Sequence, residues 1–88
     1  MRMVILDGEK ITGREQLHAT LARELRFPDW YGGNLDALYD CLTDLREPTA
    51  LQIVHQEALW ERLGPETHGL LRVLREAAKE NPELYVEL

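Results

Sequence analysis

Cysteine, positive charge and long apolar runs are all scarce in this sequence of 88 residues. The single cysteine, Cys41, excludes an internal disulfide and a zinc site built from protein thiolates. The longest apolar run, residues 3–6, is far shorter than the roughly 20 residues of a membrane span or the ~7–15-residue apolar part of a secretory signal. We therefore expect an unprocessed, soluble chain in the cytoplasm, where a lone thiol stays reduced.

Basic residues are outnumbered by acidic ones. Ten lysines and arginines stand against sixteen aspartates and glutamates, which gives a formal net charge of −6. Proteins that bind nucleic acid or anionic membranes need clustered positive charge, so we expect neither as a partner. The acidic balance favours a basic protein partner, or serves solubility alone.

The apolar patterning predicts one domain over residues 1–88, without repeats, linkers or low-complexity tracts. It predicts strands at about residues 3–6, 51–54 and 84–88, and helices at about 13–26, 35–45, 57–63 and 66–80. Strands separated by helical connections pair in parallel. The predicted fold is α/β, a small three-stranded parallel sheet packed with about four helices, whose strand order the pattern leaves open.

Local signals mark the helix ends. Thr12 and Glu15 have the spacing of a capping box before the first helix, and Asn34 is a good N-cap for the second. The first helix then carries an apolar stripe at fourfold spacing: Leu17, Leu21 and Leu25. Asn81 and Pro82 end the last helix.

The second predicted helix carries a row of carboxylates. Between residues 27 and 45 there are four acids and no lysine or arginine. On a helical wheel, one arc holds Leu35, Leu38, Cys41, Leu42 and Leu45, and the other holds Asp36, Tyr39, Asp40, Thr43 and Asp44. Because the apolar arc faces the core, the three aspartates project together from the opposite side beside an aromatic ring.

This row opposes helix stability. Like charges at i,i+4 cost roughly 0.2–0.5 kcal/mol per pair, and aspartate is a poor residue for a helix interior. Short side chains hold these charges near the backbone, and the preceding loop adds Trp30 and Tyr31, aromatics of the kind found at interface hot spots. The pattern indicates a docking surface. The alternatives are a solvated acidic face and loop aromatics that pack into the core.

Catalytic and metal chemistry find less support. The three aspartates could hold Mg²⁺, but hard-cation sites usually gather ligands from more than one element. The three histidines lie on different segments without metal-ligand spacing. No nucleophile–histidine pair can be placed either. We expect no catalytic residue, no metal and no cofactor.

The stretch from Phe27 to Leu42 resembles the signature segment of the barstar family. It reads Phe-Pro-Asp-Trp-Tyr-Gly-Gly-Asn-Leu-Asp-Ala-Leu-Tyr-Asp-Cys-Leu. The likeness covers the whole chain, through the opening strand, the leucine-rich first helix and Arg75-Glu76-Ala77 in the last helix. Members of this family are small intracellular inhibitors of secreted microbial ribonucleases of the barnase type. The resemblance implies a barstar-like fold, no enzymatic activity and a monomer when free.

The resemblance also implies a partner-binding site. Asp40 would occupy the phosphate-binding position of the enzyme, and Asp36 would pair with a basic residue at its rim. Trp30 would stack on the catalytic histidine. The remaining contact residues would be Gly32, Asn34, Tyr39, Thr43, Asp44 and Glu76. Departures from the family pattern at Trp30, Gly33, Tyr39 and Asp44 leave the particular target enzyme open.

The leading prediction is an immunity-type protein inhibitor of a basic, barnase-like microbial ribonuclease. Its carboxylates would satisfy the arginine, lysine and histidine donors that the enzyme presents to a phosphate. One alternative is an acidic docking or antitoxin-like module for a basic protein that is not a ribonuclease. A metal-dependent hydrolase built on the aspartates is another.

Overall fold

Strands and helices follow one another along the chain in the predicted order, with two helices between consecutive strands. The computed structural model describes residues 1–88. Its elements are β1 (Arg2–Asp7), α1 (Arg14–Leu25), α2 (Leu35–Thr43), β2 (Thr49–Val54), α3 (Gln56–Leu63), α4 (Glu66–Glu80) and β3 (Leu84–Glu87). A short 3₁₀ turn, Gly8–Lys10, follows β1. The predicted α/β fold, with three strands and four helices, is confirmed.

The three strands form a parallel sheet in the order β1-β2-β3, so the middle strand in the sequence is also central in the sheet. Alternate residues face opposite sides of each strand. Val4, Leu51 and Leu84 are buried on one side, whereas Met3 and Tyr85 on the other are largely exposed. The helices therefore cover one face of the sheet.

The core lies between that face and the helices. Sixteen buried residues form one apolar cluster, to which every helix and strand contributes. The predicted stripe of α1 is fully buried, as are Leu38 and Leu42 of α2. Each such leucine contributes roughly 1.5–3 kcal/mol through burial. No helix combines the length and the apolar character that crossing a membrane requires.

The start of α1 corrects one prediction. Gly13, not Thr12, is the N-cap, and it has no side-chain cap. The backbone N–H of Thr12 donates instead to the side chain of Gln16 at 3.2 Å. The predicted capping box between Thr12 and Glu15 is therefore wrong, because the helix begins one residue later and brings Gln16 into the bonding position.

The ends of the other helices follow the sequence more closely. Asn34 caps α2 as predicted, since its side-chain oxygen accepts the N–H of Ala37 at 2.8 Å. This helix ends at Thr43 rather than at about Leu45. The range predicted for α4 is confirmed at both ends.

Candidate functional site

A shallow depression lies between α2 and α4. We call it the α2–α4 groove, and its lining residues are Leu35, Asp36, Tyr39, Asp40, Arg72, Val73 and Glu76. The fourfold spacing of Asp36 and Asp40 puts both on the same side of α2. Glu76 reaches the groove from α4. The structure therefore brings together four of the predicted contact residues, which come from two elements.

The rim of the groove carries free negative charge. Asp36, Asp40 and Glu76 are exposed. None of these carboxylates takes part in an ion pair or a side-chain hydrogen bond, although both kinds of contact occur elsewhere in the chain. Arg72, the one basic residue of the lining, forms no ion pair either. Three unpaired carboxylates therefore face solvent around one depression.

The floor of the groove is apolar. Leu35, Tyr39 and Val73 are partly buried and pack against the main core. The helical wheel placed Tyr39 on the polar arc, whereas the structure places its ring at the boundary between core and solvent. Gly69 permits the close approach of the two helices, because a Cβ there would lie 2.8 Å from Leu35 Cδ1.

The position of α2 is fixed from its C-terminal end. The buried side chain of Asn81, just after α4, donates from Nδ2 to the carbonyls of Leu42 at 2.9 Å and Leu45 at 3.0 Å. Its Oδ1 accepts the backbone N–H of Glu83 at 2.9 Å. A single side chain therefore ties the end of the acidic helix to the turn before β3.

Two predicted contact residues near the end of α2 lie outside the groove. The hydroxyl of Thr43 donates back to the carbonyls of Tyr39 at 2.9 Å and Asp40 at 3.1 Å, so its proton is used within the helix. Asp44 ends the helix and lies 3.5 Å from the guanidinium of Arg46, with both side chains exposed.

Trp30 and Tyr31, adjacent in the loop before α2, differ in burial. Trp30 is 66% exposed and lines a second depression together with Asp44. Tyr31 packs instead on Phe27, with ring centroids 4.8 Å apart. Of the two loop aromatics, Trp30 is therefore the one that is largely exposed to solvent.

The glycines of this loop form part of a third depression. Gly32 and Gly33 line it together with His18 and Tyr31. Gly33 has a φ of +68°, a left-handed conformation that glycine adopts without steric cost. Asn34 follows with its side chain committed to the helix cap. The predicted contact residues are thus divided among three depressions, except for Asn34 and Thr43, which line none of them.

Cys41 lies on the buried side of α2, as predicted. Burial raises the pKa of its thiol, and the charges of Asp40 and Asp44 raise it further. A protonated, buried thiol is a poor nucleophile.

The structure brings three side chains close enough to share a cation, a cluster that the sequence analysis did not predict. They are Asp7, Glu9 and His55, whose ligand atoms lie within 4.8 Å of one another. His55 Nδ1 lies 2.9 Å from Asp7 Oδ1. This contact raises the pKa of the imidazole and lowers that of the carboxyl. The hydrogen-bonded ion pair explains the proximity, and we assign no metal to it.

Close packing of the backbone brings these groups together. Asp7 ends β1, and His55 follows the neighbouring β2. A Cβ on Gly8 would lie 2.2 Å from the carbonyl oxygen of His55. The signal in the sequence was a polar residue after each strand, but it has meaning only once β1 and β2 are known to be neighbours.

Comparisons with known proteins show the family to which the chain belongs. The whole chain, residues 1–88, matches the model of the family described as Barstar (barnase inhibitor). The chain is also similar to the "Putative ribonuclease inhibitor YrdF" of Bacillus subtilis (strain 168). The two are 42% identical over 81 residues, which cover 91% of this chain and 89% of that protein.

Proposed function

Because the chain belongs to the barstar family, we propose that it is an inhibitor of a basic microbial ribonuclease. It closes the active site of the enzyme with the α2–α4 groove and the loop that carries Trp30. The observation that carries this proposal is the set of three unpaired carboxylates around one groove. No residue of the chain itself neutralises them by direct contact.

The mechanism is the replacement of a phosphate by carboxylates. A ribonuclease cleft presents arginine, lysine and histidine donors to RNA, and a carboxylate accepts charge-assisted hydrogen bonds from the same donors. Asp40 takes the phosphate-binding position, while Asp36 and Glu76 pair with basic groups at its edge. These carboxylates, the hydrogen-bond acceptors, lie on two helices that pack against each other, so little conformational freedom is lost on binding.

The remaining contacts are apolar and aromatic. Trp30, already exposed in the free protein, stacks on the catalytic histidine of the enzyme. Tyr39 contributes the part of its ring that the core leaves uncovered. A central aromatic and charged cluster with a polar rim is the usual arrangement of a tight interface.

Such an inhibitor acts by stoichiometric binding, so it turns nothing over and needs no cofactor. We place it in the cytoplasm as a monomer when free, where it protects the producing cell. The reduced state of that compartment suits Cys41, which is buried as a free thiol.

The decisive experiment first identifies the enzyme by capture from a panel of basic microbial ribonucleases. Asp40→Ala is then compared with wild type by calorimetry. Removing one partner of a desolvated charge pair costs about 3–5 kcal/mol, so we expect the affinity to fall by roughly a hundredfold or more.

Glu9→Ala is the matched control, because it removes an exposed carboxylate that lies outside the groove. Equal affinities of the two variants would exclude the groove as the docking surface. Failure to bind any ribonuclease of the panel would contradict the proposed target class.

A further inference from the structure

His18 is a buried imidazole outside the α2–α4 groove. It lies on α1 with 5% of its surface exposed. Its Nδ1 is 2.5 Å from the hydroxyl oxygen of Tyr31. The two rings are also in contact, with centroids 5.8 Å apart and a tilt of 48°. His18 of α1 thus holds Tyr31, the residue that follows Trp30 in the loop.

Both partners of this hydrogen bond are neutral near pH 7. Burial raises the pKa of Tyr31 to about 12. Burial also lowers the pKa of His18, while Glu66 raises it and Arg14 lowers it by their charges. The phenol therefore donates to Nδ1, and the imidazole carries its proton on Nε2.

The loop has few other anchors. Among residues 28–34, one backbone N–H donates to a backbone carbonyl, that of Tyr31 to Pro28 at 3.0 Å. The side chain of Asn34 is bonded forward, to α2. Trp30 is exposed, and the two glycines have no side chains to pack. The Tyr31 side chain, which packs against the main core and contacts Phe27 and His18, is therefore the principal anchor of the loop on α1.

We propose that His18 is a positioning residue of the inhibitor: through its hydrogen bond to Tyr31 it holds residues 29–33 in the conformation that docks. This proposal has two parts. The anchoring role, that His18 orders the loop, concerns the free protein alone. The docking role, that the ordered loop binds the enzyme, rests on the proposed function. A preorganised loop loses less conformational entropy on binding than a mobile one.

Three variants separate the hydrogen bond from simple packing. His18→Leu fills the space without an acceptor, and Tyr31→Phe keeps the ring without the hydroxyl. His18→Asn keeps an acceptor at the position of Nδ1. His68→Leu is the control, because it removes an exposed imidazole from α4.

The first measurement is backbone ¹⁵N relaxation of the free variants. In His18→Leu and Tyr31→Phe we expect the order parameters of residues 29–33 to fall from about 0.85 to below about 0.6. His18→Asn should restore them, and His68→Leu should leave them unchanged. The relaxation of the helices reports whether each variant is folded.

The second measurement is the dissociation rate from the captured ribonuclease. Loss of one hydrogen bond that orders the loop should speed dissociation by about tenfold. Unchanged order parameters in folded His18→Leu overturn the anchoring role. A loosened loop with an unchanged dissociation rate overturns the docking role. If the wild-type chain binds no ribonuclease, the proposed function and the docking role are both overturned. The order parameters of the free protein still decide the anchoring role.

Discussion

Asn81 joins the end of α2 to the start of β3, and its removal tests how the acidic helix is held. Asn81→Ala removes three hydrogen bonds of 2.9–3.0 Å: one to the carbonyl of Leu42 in the last turn of α2, one to that of Leu45 just after the helix, and one from the N–H of Glu83. A hydrogen bond contributes a net ~1 kcal/mol, and a buried group left without a partner costs about 1–3 kcal/mol. We therefore expect the free energy of unfolding to fall by about 2–4 kcal/mol. This is a large part of the roughly 5–15 kcal/mol that stabilises a typical protein.

Urea denaturation followed by circular dichroism measures this loss. The control is Asn34→Ala, which removes one exposed bond, the N-cap of the same helix, and should cost about 1 kcal/mol. The slope of the transition should not change, since both variants bury the same core. If Asn81→Ala lost no more stability than Asn34→Ala, the idea that a buried bridge fixes α2 would be refuted.

The contact with Asp7 raises the pKa of His55 above its ordinary 6.5, so the contribution of His55 to stability is complete below pH 6.5 and is lost as the pH rises through the folded value. The lowered pKa of Asp7 means that its contribution is present above pH 3.8 and is lost at lower pH. His55→Gln should therefore lower the urea midpoint most between these values, and an equal loss at alkaline pH would contradict the assignment. Gly8→Ala should destabilise by about 1–3 kcal/mol in urea titrations, because the new Cβ would lie 2.2 Å from a backbone oxygen. Gly13→Ala, whose Cβ would meet no atom within 4 Å, should cost clearly less. If the chain inhibits a basic ribonuclease as proposed, their association should slow steeply with added salt in stopped-flow experiments, because opposite charges would steer the encounter. A rate indifferent to ionic strength would argue against steering.

Where the sequence pattern is long and regular, it predicts the fold well. The apolar residues of α4 recur at helical spacing over four turns, and Asn81-Pro82 ends the helix where the pattern stops. Asn34 caps α2 for a local reason, because its short side chain reaches the N–H three residues ahead. Such features depend on neighbours in the sequence, so they can be derived without knowing the tertiary structure.

The ends of helices and the faces that they bury are harder to predict from the sequence, because they depend on which other elements pack nearby. A helical wheel divides α2 into a core side and a solvent side. The helix, however, also packs on α4, and Tyr39 is half-buried at that second contact. At α1, a shift of one residue at the N-cap moved the bonding position from Glu15 to Gln16.

Features that need the strand order could not be predicted. The contact between Asp7 and His55 joins residues far apart in the sequence and exists because β1 and β2 are neighbours. The grouping of Asp40 with Glu76 was implied by the family resemblance, and the structure places both around one groove. The hydrogen bond between His18 and Tyr31 could not be predicted from the sequence, because neither the spacing nor the periodicity of these residues indicates it.

The order in which the chain is synthesised determines when its binding surface is complete. The ribosome makes α2 before the parts that hold it, α4 and Asn81, and the sheet pairs Arg2 with Thr49 and Thr49 with Leu84. Such distant pairings form late in folding, and a domain usually folds as a unit. A nascent chain that has emerged only as far as β2 carries every aspartate of α2 but has no α4 to complete the groove. Under the proposed function, a cell making both proteins is protected only by inhibitor molecules whose translation has passed β3.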